Sequence, residues 1–431
     1  MKRLVIFFFL SAIFTTTTFS QLEWMVYKFP LLSDNRVSDV TFDSNGDTWI
    51  SNYLAITRIT ADYRFIFYND YNSGLPWGYI KGITIDSPGD KWISSLSGGL
   101  IRFSEQAEDS SQWTIFNQSN SGLPDDRLLC PIAIDNEGNK WIVNMGGLAK
   151  FSGSALGSEG WTIYNSENSP LPYNGINCIE IDADGLIWIG TGDGLATFDG
   201  ISNWKVYKPS NPISIEGLPH NHIYTIAFDQ NNTWIGTPSG LVKFDGTSMT
   251  TYNKDNSNIA DNSVLALAID FNGTLWIGGN FGLTKFDGSN WITFNTSNSG
   301  LPNNSINSIT IDASGNKWIS TGTGLAVFKE GGIVSVEEIE PSFTIDYSLN
   351  QNYPNPFNPT TKINFSIPIS EFVTIKIYDI LGREVTTLIN EFRNAGNHQI
   401  DFNGNGLTSG VYFYKISSGN YSETKKMILL M

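Results

Sequence analysis

Seven tryptophans recur along the chain at intervals of 42 to 49 residues: Trp49, Trp92, Trp141, Trp188, Trp234, Trp276 and Trp318. Each precedes an isoleucine. Each also follows an aspartate (Asp43, Asp86, Asp135, Asp182, Asp229, Asp270 or Asp312) across a short turn containing Gly or Asn. Most copies continue into Gly-Leu-x-x-Phe. A unit repeated at this period, rich in strand formers and hairpin turns, marks a radial β-repeat, because one four-stranded blade takes about 40 to 50 residues.

The last full copy, INSITIDASGNKWISTGTGLAVF from Ile306 to Phe328, shows the strands. Ile309 and Ile311 alternate with Ser308 and Thr310, as a half-buried strand requires. Asp312 to Asn316 makes a turn, since Asp bonds its own backbone two residues on and Gly315 accepts a positive φ. Lys317 to Ser320 and Leu325 to Phe328 form the next two strands. A fourth strand is expected in six copies: Phe65 to Tyr68, Trp113 to Phe116, Trp161 to Tyr164, Trp204 to Tyr207, Met249 to Tyr252 and Trp291 to Phe294. The last copy lacks one, whereas Trp24-Met-Val-Tyr27-Lys28 precedes the first copy without a repeat of its own. Closing the seventh blade with this segment removes an exposed sheet edge. The expected fold is therefore all-β: a seven-bladed β-propeller over residues 21–332, then a small immunoglobulin-like β-sandwich.

The recurring residues read as structural. Each Trp packs between blades, with its indole N–H expected to find a carbonyl there. Small residues after Trp-Ile (Ser51, Ser94, Gly190, Gly236, Gly278, Ser320) fit where the sheets converge. The turns Asp182-Ala-Asp184-Gly185 and Asp43-Ser-Asn-Gly-Asp47 look superficially like the start of a calcium loop. In the first, Leu186 and Ile187 occupy the positions that need an oxygen ligand and a Gly, so plain hairpin turns are the reading and no metal or other cofactor is expected.

Lys2 and Arg3, the apolar run Leu4 to Phe14, and Thr15 to Gln21 read as a secretory signal peptide over residues 1–20, cleaved near Ser20. The run is too short to span a bilayer and no Cys follows it, so the mature chain is expected outside the cytoplasm without a transmembrane segment. Forty-two acidic against 26 basic residues give a formal charge of −16, which disfavours nucleic acid as a partner. The two cysteines, Cys130 and Cys178, fall near the same place in neighbouring repeats but one residue out of register relative to the following Asp; buried free thiols are the reading.

The repeat stops near Gly332. Residues 333–346, with Glu337, Glu338, Glu340 and Pro341, read as a linker, and residues 347–431 as alternating strands joined by Gly and Asn turns. This module carries Asn352-Tyr-Pro-Asn-Pro-Phe-Asn-Pro359, Ile377-Tyr-Asp379, Gly382-Arg383, Ser409-Gly-Val-Tyr-Phe-Tyr414 and Thr424-Lys-Lys-Met427. These strings resemble the type A carboxyl-terminal sorting domain of the type IX secretion system of Bacteroidetes and their relatives. The resemblance implies partnership with that secretion machinery, passage across the outer membrane, and release or attachment at the cell surface. The Asp-x-x-Gly-x-x-Trp-Ile-Gly-Thr and Gly-Leu-x-x-Phe-Asp-Gly strings, as in Asp182 to Asp199 and Asp270 to Asp287, resemble the two-component-regulator propeller repeats of periplasmic sensors. That resemblance implies recognition of a ligand, a glycan fragment being the family's association. This chain departs from the sensor layout in its seven copies and in lacking a membrane span and a kinase. The repeats are less closely similar to streptogramin lyase.

Residues that break the repeat are the candidates for function. Two sets of loops share one face: those with Gly-Leu-Pro-x-Asn, and those after the Trp-Ile strand. Before the first apolar residue of each inner strand stand Arg36, Tyr79, Gly175, His222, Ser263 and Ser305, with Arg127 or Leu128 in the third repeat. The second loops add Tyr53, Met145, Asp193 and Phe281, and Trp77 is the one Trp of the first set. The candidate ligand-binding set is Arg36, Tyr53, Trp77, Tyr79, Arg127, Asp193, His222 and Phe281, able to stack on and hydrogen-bond a polar ligand such as a glycan. Only His220, His222 and His398 are present, with no nucleophile elbow, zinc signature or phosphate loop, so a non-catalytic binder is expected. The alternatives are a lyase-like site pairing His222 with a carboxylate such as Asp193, and an adhesion or scaffold role.

Overall fold

The computed structural model describes residues 23–27, 36–70, 73–105, 112–153, 156–208, 217–332, 347–367, 371–393, 396–419 and 421–430. The expected signal peptide, Lys28 and the expected linker lie outside the described residues. All regular structure among the described residues is β-strand or short turn. Residues 24–328 form seven four-stranded antiparallel sheets, and six of them are consecutive in sequence. The first is Val37–Phe42, Thr48–Asn52, Ala55–Ile59 and Phe65–Tyr68. The seventh takes Ile306–Ile311, Lys317–Thr321 and Gly324–Phe328 from the last repeat and Trp24–Tyr27 from the other end of the chain. Trp24 pairs with Phe328 and Tyr27 with Leu325, as the missing fourth strand requires.

Seven cores hold the ring together, one between each pair of neighbouring blades. Trp49 packs with Ile80, Ile83, Ile93 and Ile101 of the second blade. At the closing interface Trp318 packs with Val37, Val40, Ile50 and Phe65 of the first. The other five repeat Trp residues pack forward in the same way.

The indole partners differ from the expectation. Every repeat Trp donates its N–H to the carboxylate of its own turn Asp, at 2.7–3.1 Å, and not to a carbonyl. In the first blade Asp43 Oδ1 accepts the amides of Asn45 and Asp47, each at 3.0 Å, while Oδ2 takes the indole of Trp49 at 2.9 Å. One carboxylate thus fixes the hairpin turn and orients the largest side chain of the blade. Charge-assisted bonds of this kind are about twice as strong as neutral ones, which explains why the pairing prevails over a carbonyl. Gly46, with φ +83, supplies the left-handed residue of that turn.

Three interfaces carry an extra device. Lys91, Lys140 and Lys317, each just before a repeat Trp, reach back to the Asp of the preceding blade: Asp43 at 3.4 Å, Asp86 at 3.4 Å and Asp270 at 3.3 Å. The same ammonium groups lie over the preceding Trp rings, 4.7, 4.6 and 4.8 Å from Trp49, Trp92 and Trp276. The equivalent residues elsewhere are Thr48, Ile187, Thr233 and Leu275, so the other interfaces lack this cation. Burial raises the Asp43 carboxyl, but the Trp49 indole, the Asp47 and Asn45 amides and Lys91 outweigh it and hold the group below its ordinary range.

The inner strands of four blades carry a register shift, between Val37 and Asp39, Ile80 and Gly82, Ile176 and Cys178, and Ile306 and Ser308. Two of the extra residues tie neighbouring inner strands together: Asn177 donates to the Ile223 carbonyl at 2.9 Å and Asn307 to that of Val37 at 3.0 Å. Cys130 and Cys178 are free thiols. Counted from the buried Leu128 and Ile176 they share one register, and the extra residue of the third blade falls after Cys130, which corrects the expected offset. Burial pushes Cys130 up to about 12 and Cys178 well above its ordinary value, which makes both poor nucleophiles.

Two carboxyls at the inner strands are held above the ordinary carboxylate range. Enclosure raises Asp39 to about 6 against the lowering effect of the Val40 and Ile83 amides. Surrounding protein first, and then the charge of Asp39, push Glu180 up to about 7, a rise that solvent at its exposed surface diminishes. A raised acid binds its proton more tightly in the folded chain than in the unfolded one, so these groups favour folding below about pH 4 and the advantage is lost as pH rises through 6 and 7. The expected result is that Asp39→Asn with Glu180→Gln makes stability flatter between pH 4 and 7 than in the parent. Urea midpoints across that range check it, and parallel curves for the two proteins would refute it.

Residues 347–430 form a second core between two sheets. One contains Ser348–Leu349, Thr360–Ile367 and Gly396–Asn403; the other orders Glu384–Arg393, Glu371–Asp379, Gly410–Ser418 and Tyr421–Leu429. The Pro-Asn string is anchored at Asn352, Asn355 and Phe357, while Tyr353 is exposed. Asn352, 2% exposed, donates to the Pro354 carbonyl and the Thr361 hydroxyl, and its amide donates to the Tyr414 hydroxyl at 2.8 Å. Phe357 is buried in the core, and Asn355 Oδ1 accepts the amide of Ile428 at 2.9 Å.

Candidate functional site

The face bearing the variable loops is where each inner strand begins and each second strand ends. Amides at the starts of inner strands bond carbonyls of the preceding blade: Ile80 to Tyr53, Leu128 to Ser95, Ile223 to Thr191, Val264 to Thr237 and Ile306 to Gly279. This regular frame sets the rim positions. In the third blade Leu128 is fully buried and Arg127 stands at the rim, which resolves that alternative.

Four of the eight candidates come together across the first two blades. The Arg36 guanidinium lies 3.8 Å from the centroid of the Tyr53 ring. Tyr53 meets Tyr79 at 3.8 Å between centroids with 34° between planes, and Tyr79 meets Trp77 at 6.2 Å and 45°. The result is a run of tilted ring contacts, Arg36–Tyr53–Tyr79–Trp77, in which Trp77 is 63% exposed. The exposed Trp77 ring gives an apolar face with a polar N–H edge, able to stack on a ring, and the half-buried tyrosines and Arg36 beside it can hydrogen-bond around it.

The remaining candidates lie elsewhere on the rim. Arg127 forms a two-point pair with Asp125, at 2.9 and 2.6 Å. Phe281 is 61% exposed with the Lys254 ammonium 5.6 Å from its ring. Asp193 accepts from Lys208 at 2.5 Å and from the Asn221 amide at 3.0 Å. Its carboxylate is thus spent on a lysine and an amide instead of activating His222. His222 instead lies near His220, 5.4 Å between ring centroids, and its amide donates to His220 Nδ1 at 2.9 Å.

Sequence reasoning passed over Tyr173. Leu171-Pro172-Tyr173 repeats Leu75-Pro76-Trp77, so Tyr173 holds the register of Trp77, and that alignment was the available signal. Its ring rests over two bare glycines: a Cβ on Gly175 would lie 2.5 Å from Tyr173 Cε1, and one on Gly192 3.3 Å from Cδ1 and 3.6 Å from His222 Nε2. One shallow depression, lined by Ile259, Asp261, Ser263 and Gly279 among others, encloses about 150 Å³ of open space. The depression is open to solvent and is no enclosed small-molecule cleft. Among the described residues no group of three or more His, Cys, Asp or Glu is placed to hold a metal ion.

Comparison with known proteins agrees with this architecture. Residues 351–430 match the secretion system C-terminal sorting domain, and residues 170–193 and 258–281 match the two component regulator propeller. No curated protein matches the sequence significantly. Among solved structures, the chain is similar to the extracellular domain of BT3049 from B. thetaiotaomicron, described as a hybrid two component system, at TM-score 0.60 and 18% identity over 94% of this chain and 57% of that one. It is similar to PorZ, a surface component of the type-IX secretion system of Porphyromonas gingivalis, at TM-score 0.55 and 18% identity over 93% of this chain and 60% of that one. Virginiamycin B lyase from Staphylococcus aureus aligns at TM-score 0.55 and 12% identity over 71% of this chain and 100% of that one. The chain spans less than two thirds of the length of the first two.

Fold and comparisons define a class: an all-β protein of two-component-regulator-type propeller repeats ending in a secretion sorting domain. Within it, this chain carries a C-terminal secretion sorting domain, which marks it for export to the cell surface or the medium. No helix among the described residues is long and apolar enough to cross a membrane.

Proposed function

We propose that the mature protein, residues 21–332 after removal of a signal peptide at 1–20 and joined by the linker 333–346 to the sorting domain, is a non-catalytic binder of an extracellular glycan. The observation that supports this most is the run of ring contacts through Arg36, Tyr53, Tyr79 and exposed Trp77 on an open face. A sugar ring presents axial C–H groups to such a platform and hydroxyls to its polar edges. Tyr53 is already in contact with Arg36, so one side of the platform is ordered before a ligand arrives, which limits the entropy lost on binding.

The expected result is retention on a glycan array, weakened about tenfold or more by Tyr79→Ala or Trp77→Ala, a loss of about 1.4 kcal/mol or more. Circular dichroism would show both variants folded, because neither side chain belongs to an interblade core. An array without hits would transfer the role to adhesion or scaffolding. Catalysis is disfavoured by the pairing of Asp193 with Lys208. Turnover of a streptogramin lactone or a uronate polymer that vanished in His222→Ala would reverse that reading.

A further inference from the structure

Tyr173 stands two blades on from Trp77 around the rim, in the loop that enters the fourth blade as Trp77 is in the loop that enters the second. It has the same Leu-Pro-x register as Trp77, is 55% exposed, and rests its ring on Gly175 and Gly192. The glycines matter: any side chain at Gly175 would occupy the space the ring now fills. Beside it stand His222, exposed, and the half-buried His220 and Tyr224, with 6.4 Å between the ring centroids of His222 and Tyr224. Flat ring, imidazoles and phenol repeat the chemistry of the first platform with different residues.

We propose that Tyr173 with His222 and His220 is a second subsite, and that the face seats an extended, uncharged polysaccharide reaching from Trp77 and Tyr79 along the rim to Tyr173. This inference rests on the glycan reading and adds to it the length and charge class of the ligand. Charge follows from the rim cations. Arg127 is paired with Asp125 and Lys208 with Asp193, Arg36 and Lys254 belong to separate blades, and Asp126 and Asp261 add negative charge to the same loops. A polyanion approaching a chain of formal charge −16 would meet repulsion without an offsetting cluster of cations. Length follows from the two platforms: when one chain occupies both, the second contact is intramolecular, and overall affinity gains about 10²-fold or more over one contact.

The test uses the full chain. Affinity electrophoresis through gels of laminarin, xylan, galactomannan and pullulan, with alginate and polygalacturonate as charged arms, identifies the polymer retained. Calorimetry with an oligosaccharide ladder of that polymer then gives the ratio of long-chain to short-chain affinity. The expected outcome is retention by an uncharged polymer and a ratio of about 10²-fold in the parent. Tyr173→Ala should bring that ratio close to one. Gly175→Ala, which displaces the ring without removing it, should do the same, and Phe271→Ala on the opposite face should leave it unchanged. A ratio that survives both Tyr173→Ala and Gly175→Ala overturns the second subsite, as does short-chain binding with no gain in length, and either outcome leaves the glycan reading standing. Retention by the charged polymers alone overturns the charge assignment. Retention by none overturns the glycan reading together with this inference.

Discussion

A chain that begins after Tyr27 is expected to lose the greater part of its propeller stability, by more than about 5 kcal/mol. Trp24–Tyr27 completes two interblade cores at once. Trp24 stacks on Phe328 at 4.5 Å and approaches Phe294 at 5.7 Å, while Tyr27 stacks on Trp318 at 5.9 Å with 8° between planes. Trp24 also fills the space above Gly300, where a Cβ would lie 2.4 Å from its own. Full truncation of a core aromatic costs about 3–5 kcal/mol. Both rings here are half-buried, so about 2–3 kcal/mol each is the appropriate scale, before the backbone pairing of four residues is counted. The larger consequence is that Gly324–Phe328 becomes an open edge with its amides and carbonyls unpaired, inviting other chains to add to it. Urea unfolding should show a lower midpoint, and size-exclusion chromatography should show oligomers. A synthetic peptide of residues 21–30 should restore both. A truncated chain that stays monomeric with an unchanged midpoint would refute the closure of the ring by this strand.

Asp43→Ala is expected to cost about 3–5 kcal/mol, more than the equivalent change in a blade without the lysine. Asp43 holds its turn amides, the Trp49 indole and Lys91, whose side chain is 2% exposed. Removing the carboxylate leaves Lys91 buried with Glu105, 3.2 Å away, as its remaining partner. Asp312 performs the same duties for Ser314, Asn316 and Trp318, but the first blade presents Thr48 where the second has Lys91. Asp312→Ala should therefore cost only the turn and indole bonds, about 1–3 kcal/mol. Lys91→Met in the Asp43→Ala background should recover part of the difference, since an apolar side chain of similar length needs no counter-charge. Equal losses in Asp43→Ala and Asp312→Ala would show that the lysine contributes nothing.

The seven Asp-to-Trp intervals and the stray Trp24–Lys28 segment were enough to read the number of blades and the way the ring closes. Both depend on local pattern: strand alternation, Asp and Gly turns, and a count of fourth strands that came out one short. The sorting domain was equally legible, since its unusual strings lie close together in sequence. The partners of individual side chains were not. The indole partner was expected to be a carbonyl, yet the side chain six residues upstream, or five in the case of Asp229, is a carboxylate that the hairpin turn places under the ring. The offset assigned to Cys130 and Cys178 came from counting to the following Asp, whereas the extra residue is absorbed after Cys130 and the mouth of each strand stays in register.

The rim shows the same division. Arg36, Tyr53, Trp77 and Tyr79 could be named from the places where the repeat breaks, but only the ring brings residues 36 and 53 of one blade against 77 and 79 of the next. Asp193 and His222 looked like partners in the linear order, and the fold gave the carboxylate to Lys208 and Asn221. Tyr173 gained its meaning from the glycines beneath it, one of them on a different loop. Periodicity along the chain determined the blades, because side chains within a hairpin are set by turn type and strand alternation. Which variable side chains face one another was decided by closure of the circle, because that alone fixes the angle and distance between loops more than twenty residues apart.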